Sequence, residues 1–325
     1  MKKISGFFLA ILLVLTLVGC SQPEDVALKI IAPLGSPALA QTYMESTLPS
    51  LGDNVTYEIE VVSGTDPLVA AFGSGSHDII YAPTNLGAKL VSTGLEYQLA
   101  GTVVWGNLYL ATGTDETFEL SDLDGKEIVI FGQNATPDII VQTILANETW
   151  TTEPTITYVD SAGTAMGTLI ADPSKIVLLA EPVLSVASLP SNVANLKSID
   201  LQAAWGDMTG TTSYPQAGIF VKVGTNNEAV DAYLSAVQTS ITEALNDPAA
   251  VAQMAVDLDY GFPLPVLTGA IPRSNLMFTS AQNSRVALET YFGYIIDFNP
   301  ALIGGSLPGD DFYYQSEAAN SAFDS

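Results

Sequence analysis

The segment KEIVIFGQNATPDIIVQTIL (residues 126–145) has the pattern of a buried strand, a glycine turn and a helix. Residues 126–131 form a short apolar and β-branched run of strand length. Thr136 at the N-cap, Pro137 at the first helical position and Asp138 in the first turn are three agreeing helix-start signals. Such a unit places free backbone N–H groups at the carboxyl edge of a sheet, where open α/β sheets bind small ligands.

The same unit occurs four times in the chain. The other three run from residues 28–32 into Gly35-Ser36-Pro37, from 78–81 into Ala82-Pro83-Thr84-Asn85, and from 175–179 into Ala180-Glu181-Pro182. Two units precede residue 112 and two follow it, which predicts two similar α/β lobes around a shared cleft. Further strands are predicted at 57–63, 103–112, 155–159 and 217–223, helices at 161–171, 227–245 and 281–294, and a polar loop at 202–214.

The N-terminus has the pattern of an export signal. Lys2 and Lys3 precede the apolar run 6–19, which is shorter than the roughly 20 residues of a spanning helix, so a signal peptide is favoured over a transmembrane anchor. Cys20 follows at once, and residues 17–20, LVGC, resemble the lipobox of bacterial lipoproteins. That resemblance implies removal of residues 1–19, lipidation of Cys20, palmitate included, and a lipidated tether over 20–27.

Composition excludes several classes of function. The formal net charge is −25, with 10 Lys and Arg against 35 Asp and Glu, which argues against a nucleic-acid partner. Gly73-Ser74-Gly75-Ser76 is not a dinucleotide fingerprint, because Asp78 stands where the third glycine is required. The chain has one cysteine and one histidine, His77, and we interpret His77 as an ordinary polar residue at a strand start. No metal site, no cofactor and no enzymatic activity are predicted.

Five segments together resemble a known family. They are DLDGKEIVIFGQNATPD (122–138), LLAEPVLSVA (178–187), LQAAWGDMTGTTSYPQAGIFV (201–221), IPRSNLMF (271–278) and IGGSLPGDDFYY (303–314). In order and spacing they resemble the substrate-binding lipoproteins of ABC importers, in the family that serves nitrate, sulfonate, taurine and thiamine-pyrimidine uptake. The resemblance implies a two-lobed type II periplasmic-binding-protein fold with two crossing segments, near 103–112 and 217–223. Lobe 1 is predicted to contain 28–108 and 222–325, and lobe 2 to contain 109–221.

The resemblance also implies a mode of action. The lobes close over a ligand, and an ABC permease recognises the closed form. The protein is then an exported monomer, anchored through Cys20 to the outer face of the cell membrane, or periplasmic in a bacterium with two membranes. A related catalyst, the fungal-type thiamine-pyrimidine synthase, needs a cysteine-rich motif and histidines that this chain lacks.

The predicted ligand-binding residues come from the four turns and from polar or aromatic neighbours. They are Ser36, Thr84, Asn85, Trp105, Asn107, Gln133, Asn134, Ala135, Thr136, Glu181, Trp205 and Tyr214. Helix capping alone is the alternative for Ser36 and Thr136, and lobe packing is the alternative for Trp105 and Trp205.

The ligand class follows from the charges that these turns bring together. Glu181 and the aromatic residues favour a neutral or cationic planar compound, such as a pyrimidine or flavin vitamin precursor. Lys29, Lys126 and Lys175 fall at strand beginnings, and only Arg273 can be placed between the lobes, by resemblance. A small sulfonate or nitrate-type anion is the runner-up, because such anions usually need a basic residue. A lipid-tethered interaction module without a transported ligand is the alternative from another class.

Overall fold

A computed structural model describes residues 25–315. The predicted signal peptide, Cys20 and the first part of the tether lie outside the described residues. None of the helices within 25–315 has the length and apolar character needed to cross a bilayer.

The structure is α/β. The strands are β1 (Val26–Pro33), β2 (Val55–Val62), β3 (Ile79–Pro83), β4 (Tyr97–Val104), β5 (Leu108–Gly113), β6 (Glu127–Phe131), β7 (Thr155–Val159), β8 (Ile176–Ala180), β9 (Leu196–Asp200), β10 (Ala217–Lys222) and β11 (Leu276–Ser280). The helices are α1 (Ser36–Thr47), α2 (Asp66–Ser74), α3 (Thr84–Val91), α4 (Thr136–Asn147), α5 (Ala162–Ala171), α6 (Val183–Ala187), α7 (Leu201–Thr209), α8 (Asn227–Asn246), α9 (Pro248–Asp257), α10 (Leu264–Arg273) and α11 (Ala281–Phe298).

The strands form two sheets, one in each lobe. The first sheet is six-stranded, in the order β11-β4-β10-β3-β1-β2, and the second is five-stranded, in the order β7-β6-β8-β5-β9. In the first sheet β1 runs parallel to β2 and β3, and in the second β6 runs parallel to β7 and β8. The two triplets are equivalent, so the two lobes repeat one arrangement, as the sequence predicts.

The crossing between the lobes differs in detail from the prediction. Residues 103–112 are not one strand: β4 ends in the first sheet at Val104 and β5 begins in the second at Leu108. The second crossing, from the second lobe back to the first, also comes earlier in the chain than predicted, because β10 already lies between β3 and β4 in the first sheet. Leu108 therefore belongs to the second lobe, 217–221 belong to the first, and β1 begins at Val26, inside the predicted tether. The two crossing segments are 105–107 and 213–216.

The loop predicted at 202–214 is wrong over its first part, which is α7. The Asp200 carboxylate caps this helix by accepting hydrogen bonds from the backbone N–H groups of Gln202 and Ala203 at 2.8 and 3.0 Å. Gly210, with φ +72°, ends it. The polar and glycine content of residues 202–214 favours a loop, whereas the helix depends on the capping aspartate just before this segment.

A shared apolar core joins the lobes. One cluster of buried side chains contains residues of the first sheet, such as Ile80 and Leu99, and residues of the second lobe, such as Ile140 and Trp205. Helix α11 connects them, because it packs on β4 and also contacts α4. The lobes are therefore linked by packed side chains as well as by the two crossing segments.

Candidate ligand-binding cleft

A cavity of about 660 Å³ lies between the lobes at the carboxyl ends of their strands. The first lobe contributes the turns after β2 and β3, and the second lobe contributes the turns after β6 and β7. The lining residues are Gly64, Thr65, Pro83, Asn85, Leu86, Lys89, Phe131, Gly132, Asn134, Ala135, Thr136, Pro137, Asp160, Ser161, Ala162, Gln216 and Leu302. The volume is within the range of small-molecule pockets.

The turn between β6 and α4 forms one wall of this cavity. Asn134 has φ +60°, and its backbone N–H donates to Asp138 Oδ2 at 2.8 Å. Asp138 is buried and also accepts from Tyr158 Oη at 2.8 Å. The N-cap is Ala135, and Thr136 is the first residue of the helix, so the predicted capping role of Thr136 is wrong. Asp138 holds the turn instead.

Thr136 connects the lobes. Its Oγ1 donates to Asn85 Oδ1 of the first lobe at 3.3 Å and accepts from Tyr291 Oη of α11 at 3.0 Å. Burial raises the pKa of the Tyr291 phenol, so this hydroxyl remains a donor. Asn85, Asn134, Ala135 and Thr136 are the predicted site residues that line the cavity, whereas Gln133 is exposed and is not among the lining residues.

Ser36, Asn107 and Glu181 lie together beside the cavity, in what we call the paired end of the cleft. Asn107 Nδ2 donates to Ser36 Oγ at 2.9 Å and to the Glu181 backbone oxygen at 3.3 Å. Ser36 Oγ donates in turn to Ser274 Oγ at 2.9 Å. The turns after β1 and β8 are therefore linked through the side chain of Asn107, which donates to both of them.

Glu181 makes an ion pair across this paired end. Its Oε1 lies 2.7 Å from Nε of Arg273, the last residue of α10 in the first lobe. The contact is ionic rather than an aligned hydrogen bond, and the Glu181 side chain is fully buried. Burial raises the pKa of the Glu181 carboxyl, and the Arg273 guanidinium opposes that rise.

The two crossing segments are hydrogen-bonded to each other. The Asn107 backbone N–H donates to Gln216 Oε1 at 3.1 Å, and Gln216 Nε2 donates to Asn107 Oδ1 at 2.8 Å. Thr84 Oγ1 donates to the Pro215 oxygen at 2.6 Å and is fully buried. Asn107 and Thr84 therefore fix the crossing in this structure.

The predicted aromatic residues lie in packed surroundings. Trp105 Nε1 donates to the Met277 oxygen at 3.1 Å. Trp205 is 1% exposed, and its ring centroid is 5.5 Å from that of Tyr214 and 5.0 Å from that of Tyr294, edge to face. The structure does not bring Trp105, Trp205 or Tyr214 to the cavity, and for the two tryptophans this agrees with the packing alternative.

Several lining residues were not predicted. Lys89 lies on α3 four residues after Asn85, the spacing that places two side chains on one helix face. Asp160 and Ser161 follow β7, and Gly64 and Thr65 follow β2, in the same strand–turn–helix pattern as the four predicted turns. Within residues 25–315, no cluster of His, Cys, Asp and Glu is arranged to hold a metal ion.

Comparison with solved structures shows what this fold is similar to. An ABC transporter protein from Parabacteroides distasonis matches with a TM-score of 0.79 and 22% identity, over 90% of this chain and 100% of that chain. The periplasmic aliphatic sulphonate binding protein SsuA from Escherichia coli matches with a TM-score of 0.66 and 14% identity, over 90% and 93%. A Candida albicans protein with the generic periplasmic binding protein fold gives 0.51 and 12%, over 88% and 92%. No protein-family model and no curated protein sequence matches the chain.

The chain therefore has the periplasmic binding protein fold. Two lobes of equivalent topology, two crossing segments and a cavity at the facing strand ends define this class. The fold predicted from the sequence is confirmed.

Proposed function

We propose that this protein is an extracytoplasmic solute-binding lipoprotein that captures a small molecule between its lobes and delivers it to an ABC importer permease. The observation that carries the proposal is the cavity of about 660 Å³ where the strand ends of both lobes face each other. The similar proteins support it, since one is an ABC transporter protein and another a periplasmic sulphonate binding protein. A binding role requires lobes that can close over the ligand. It does not require a catalytic group.

The anchoring belongs to the same proposal. Residues 17–20 resemble a lipobox, so Cys20 would carry the lipid and hold the protein at the outer face of the membrane. Because β1 begins at Val26, the first lobe follows this anchor after a short tether. Growth with labelled palmitate tests the modification: label is expected in the wild-type protein and not in Cys20→Ala.

The lining favours a neutral or cationic planar ligand with an apolar face. Phe131, Leu86 and Leu302 supply apolar surface, and the amides of Asn85 and Gln216 supply donors and acceptors. Asp160 adds a carboxylate on the second-lobe side, which suits a cationic group. A pyrimidine or flavin precursor has these properties. Lys89 also lines the cavity and is the observation in favour of a small anion.

Thermal melting with a panel of compounds tests the proposal. Pyrimidines, flavins, amino acids, sulfonates and nitrate are added to the soluble mature protein, and a ligand at 100 times its Kd adds about 2.7 kcal/mol to the free energy of unfolding. We expect a response to an aromatic or cationic compound. A response to sulfonate or nitrate alone would favour the anion alternative. No response, with no co-purified compound in native mass spectrometry, would favour a non-transport interaction module.

A pair of variants shows whether the responding compound binds in the cavity. Phe131→Ala removes an apolar lining side chain, so the stabilisation by the ligand should fall. Phe298→Ala is the matched control, since Phe298 is also partly buried but lies at the end of α11 and is not among the lining residues. An equal loss in both variants would contradict this location.

A further inference from the structure

The Glu181 carboxylate is surrounded by groups that bind anions. Arg273 approaches Oε1 through Nε at 2.7 Å, and the backbone N–H of Ser185 donates to Oε2 at 3.1 Å. Arg273 Nη2 also donates to Ser185 Oγ at 2.7 Å, which fixes the guanidinium beside the carboxylate. A guanidinium and a backbone N–H are the donors that free carboxylates and sulfonates use in proteins.

The groups around this carboxylate come from both lobes. Glu181 and Ser185 belong to the second lobe, and Arg273 ends α10 of the first. Tyr109 of β5 adds another link, because its hydroxyl donates to the Arg273 backbone oxygen at 2.8 Å. Gly269 of α10 lies against the same place, and a β carbon there would be 3.4 Å from Ser185 Oγ. The lobes therefore meet closely around this one carboxylate.

The atoms that form the site are buried, namely Glu181 Oε1 and Arg273 Nε. The Glu181 side chain is fully buried, whereas the Arg273 side chain is 38% exposed. The position that faces Arg273 Nε and the Ser185 N–H is occupied by Glu181.

We propose that Glu181 is the resident anion of an interlobe anion site formed by Arg273 and Ser185. Its carboxylate joins the lobes at the paired end of the cleft and excludes anionic solutes from that end. The solute then binds in the cavity lined by Phe131 and Asn85. The exclusion of solutes rests on the proposed function, whereas the anion site itself does not. Glu181 is thus a specificity-determining residue whose side chain takes the place of a ligand group.

Removing the Glu181 carboxylate should allow a free anion to bind to Arg273 and Ser185. The purified Glu181→Ala variant is titrated with sodium acetate and sodium methanesulfonate in Tris buffer, which carries no sulfonate or carboxylate, and melting temperature and binding heat are measured. We expect a saturable rise in melting temperature that the wild-type protein does not show. The double variant Glu181→Ala/Arg273→Gln should lose this response.

The matched control is Glu127→Ala. Glu127 is also paired with a basic residue, Lys175, at 2.8 Å, but both side chains are about 40% exposed and both lie in the second lobe. A response as large in this control, a response retained in the double variant, or no response in Glu181→Ala would overturn the proposal. None of these results depends on the solute of the cavity, so a failed compound panel and a failed anion site are separate outcomes.

A second variant covers the case in which Glu181→Ala does not fold. Glu181→Gln keeps the shape of the side chain and removes its charge, so the ionic link between the lobes is lost. Small-angle scattering without ligand should then give a larger radius of gyration than the wild type, with no change in Glu127→Gln. An unchanged radius in Glu181→Gln would overturn the role in joining the lobes.

Discussion

Gly106 is the residue at which the chain passes from the first lobe to the second. Its φ is +83°, in the left-handed region, and a β carbon would collide with the side chains of Gln202 and Tyr214. Both features require glycine: the conformation is costly for other residues, and the space is filled by a buried phenol and an amide.

Gly106→Ala should therefore destabilise the protein. We expect a loss of roughly 3 kcal/mol in the free energy of unfolding, from the left-handed conformation together with overpacking. Urea unfolding measures it. Gly167→Ala is the control, because Gly167 lies within α5 and a β carbon there has no heavy atom within 4 Å. That change should be neutral or stabilising by about 0.5–1 kcal/mol, from helix propensity alone. Equal effects would contradict the steric argument.

Glu181 shows the limit of residue-level prediction from sequence. Its position after β8 predicts a ligand-binding carboxylate, whereas the structure pairs it with Arg273 and does not place it among the residues that line the cavity. Its partner could not be predicted, because Arg273 lies far along the chain at the end of α10 and no local pattern joins them. Lys89 differs in that its spacing of four residues from Asn85 is a local signal, but it lies on the helix and not in the turn that precedes it.

At the scale of single elements, α1 carries a partly buried acid on its packed side. Tyr260 Oη donates to Glu45 Oε2 at 2.7 Å. Burial raises the pKa of the Glu45 carboxyl, and the hydrogen bond from Tyr260 opposes the rise. A folded-state pKa above the unfolded value means that folding favours the neutral acid. The stability from this group is then complete below the unfolded pKa and is lost as pH rises through the folded pKa.

Glu45→Gln should remove the loss of stability that the wild-type protein shows as pH rises through the folded-state pKa of Glu45. We expect the variant to gain stability relative to the wild type as pH increases from about 4 to 7, with urea unfolding measured at each pH. Glu127→Gln provides a control of opposite sign, because the hydrogen bond from Lys175 lowers the pKa of Glu127. Its contribution is present above the unfolded pKa and is lost as pH falls. The same sign in both variants would contradict the assignment for Glu45.

The elements with local signals were predicted well. The strands before Ser36, Thr84, Thr136 and Glu181 and the helices after them are all present, since apolar runs and proline-containing turns are local features. α7 was missed because its start depends on one capping aspartate, which the polar composition around it obscured. The extra turns after β2 and β7 were readable as strand–turn–helix units, but their position on the cavity follows from strand order, which has no local signal.

For the whole molecule, the shared core predicts cooperative unfolding. Trp205 of the second lobe packs edge to face on Tyr291 and Tyr294 of α11, with ring centroids 5.9 and 5.0 Å apart. These rings couple the lobes independently of the crossing segments. From the sequence, Trp205 could either pack within the protein or stack on a ligand. The sequence does not decide between these roles, because α11, which it packs against, lies much later in the chain.

Trp205→Ala should uncouple the lobes. Calorimetry is expected to show one transition in the wild type and two in the variant, with a loss of about 3–5 kcal/mol in the free energy of unfolding. Trp150→Ala is the control: Trp150 is partly buried in the second lobe, and its Nε1 donates to the Leu145 oxygen at 2.8 Å. It should lower stability without splitting the transition. Two transitions in both variants would contradict the coupling role of Trp205.

The position of β10 determines the order in which the protein can be completed during synthesis. This strand lies between β3 and β4, yet it follows the entire second lobe in the sequence. The first sheet therefore lacks a central strand until residues 217–222 have left the ribosome. All strands of the second sheet emerge before that point. The lobe that contains β1 is thus the last to be completed. The edges of β3 and β4 stay unpaired until β10, which follows the whole second lobe in the sequence, has been synthesised.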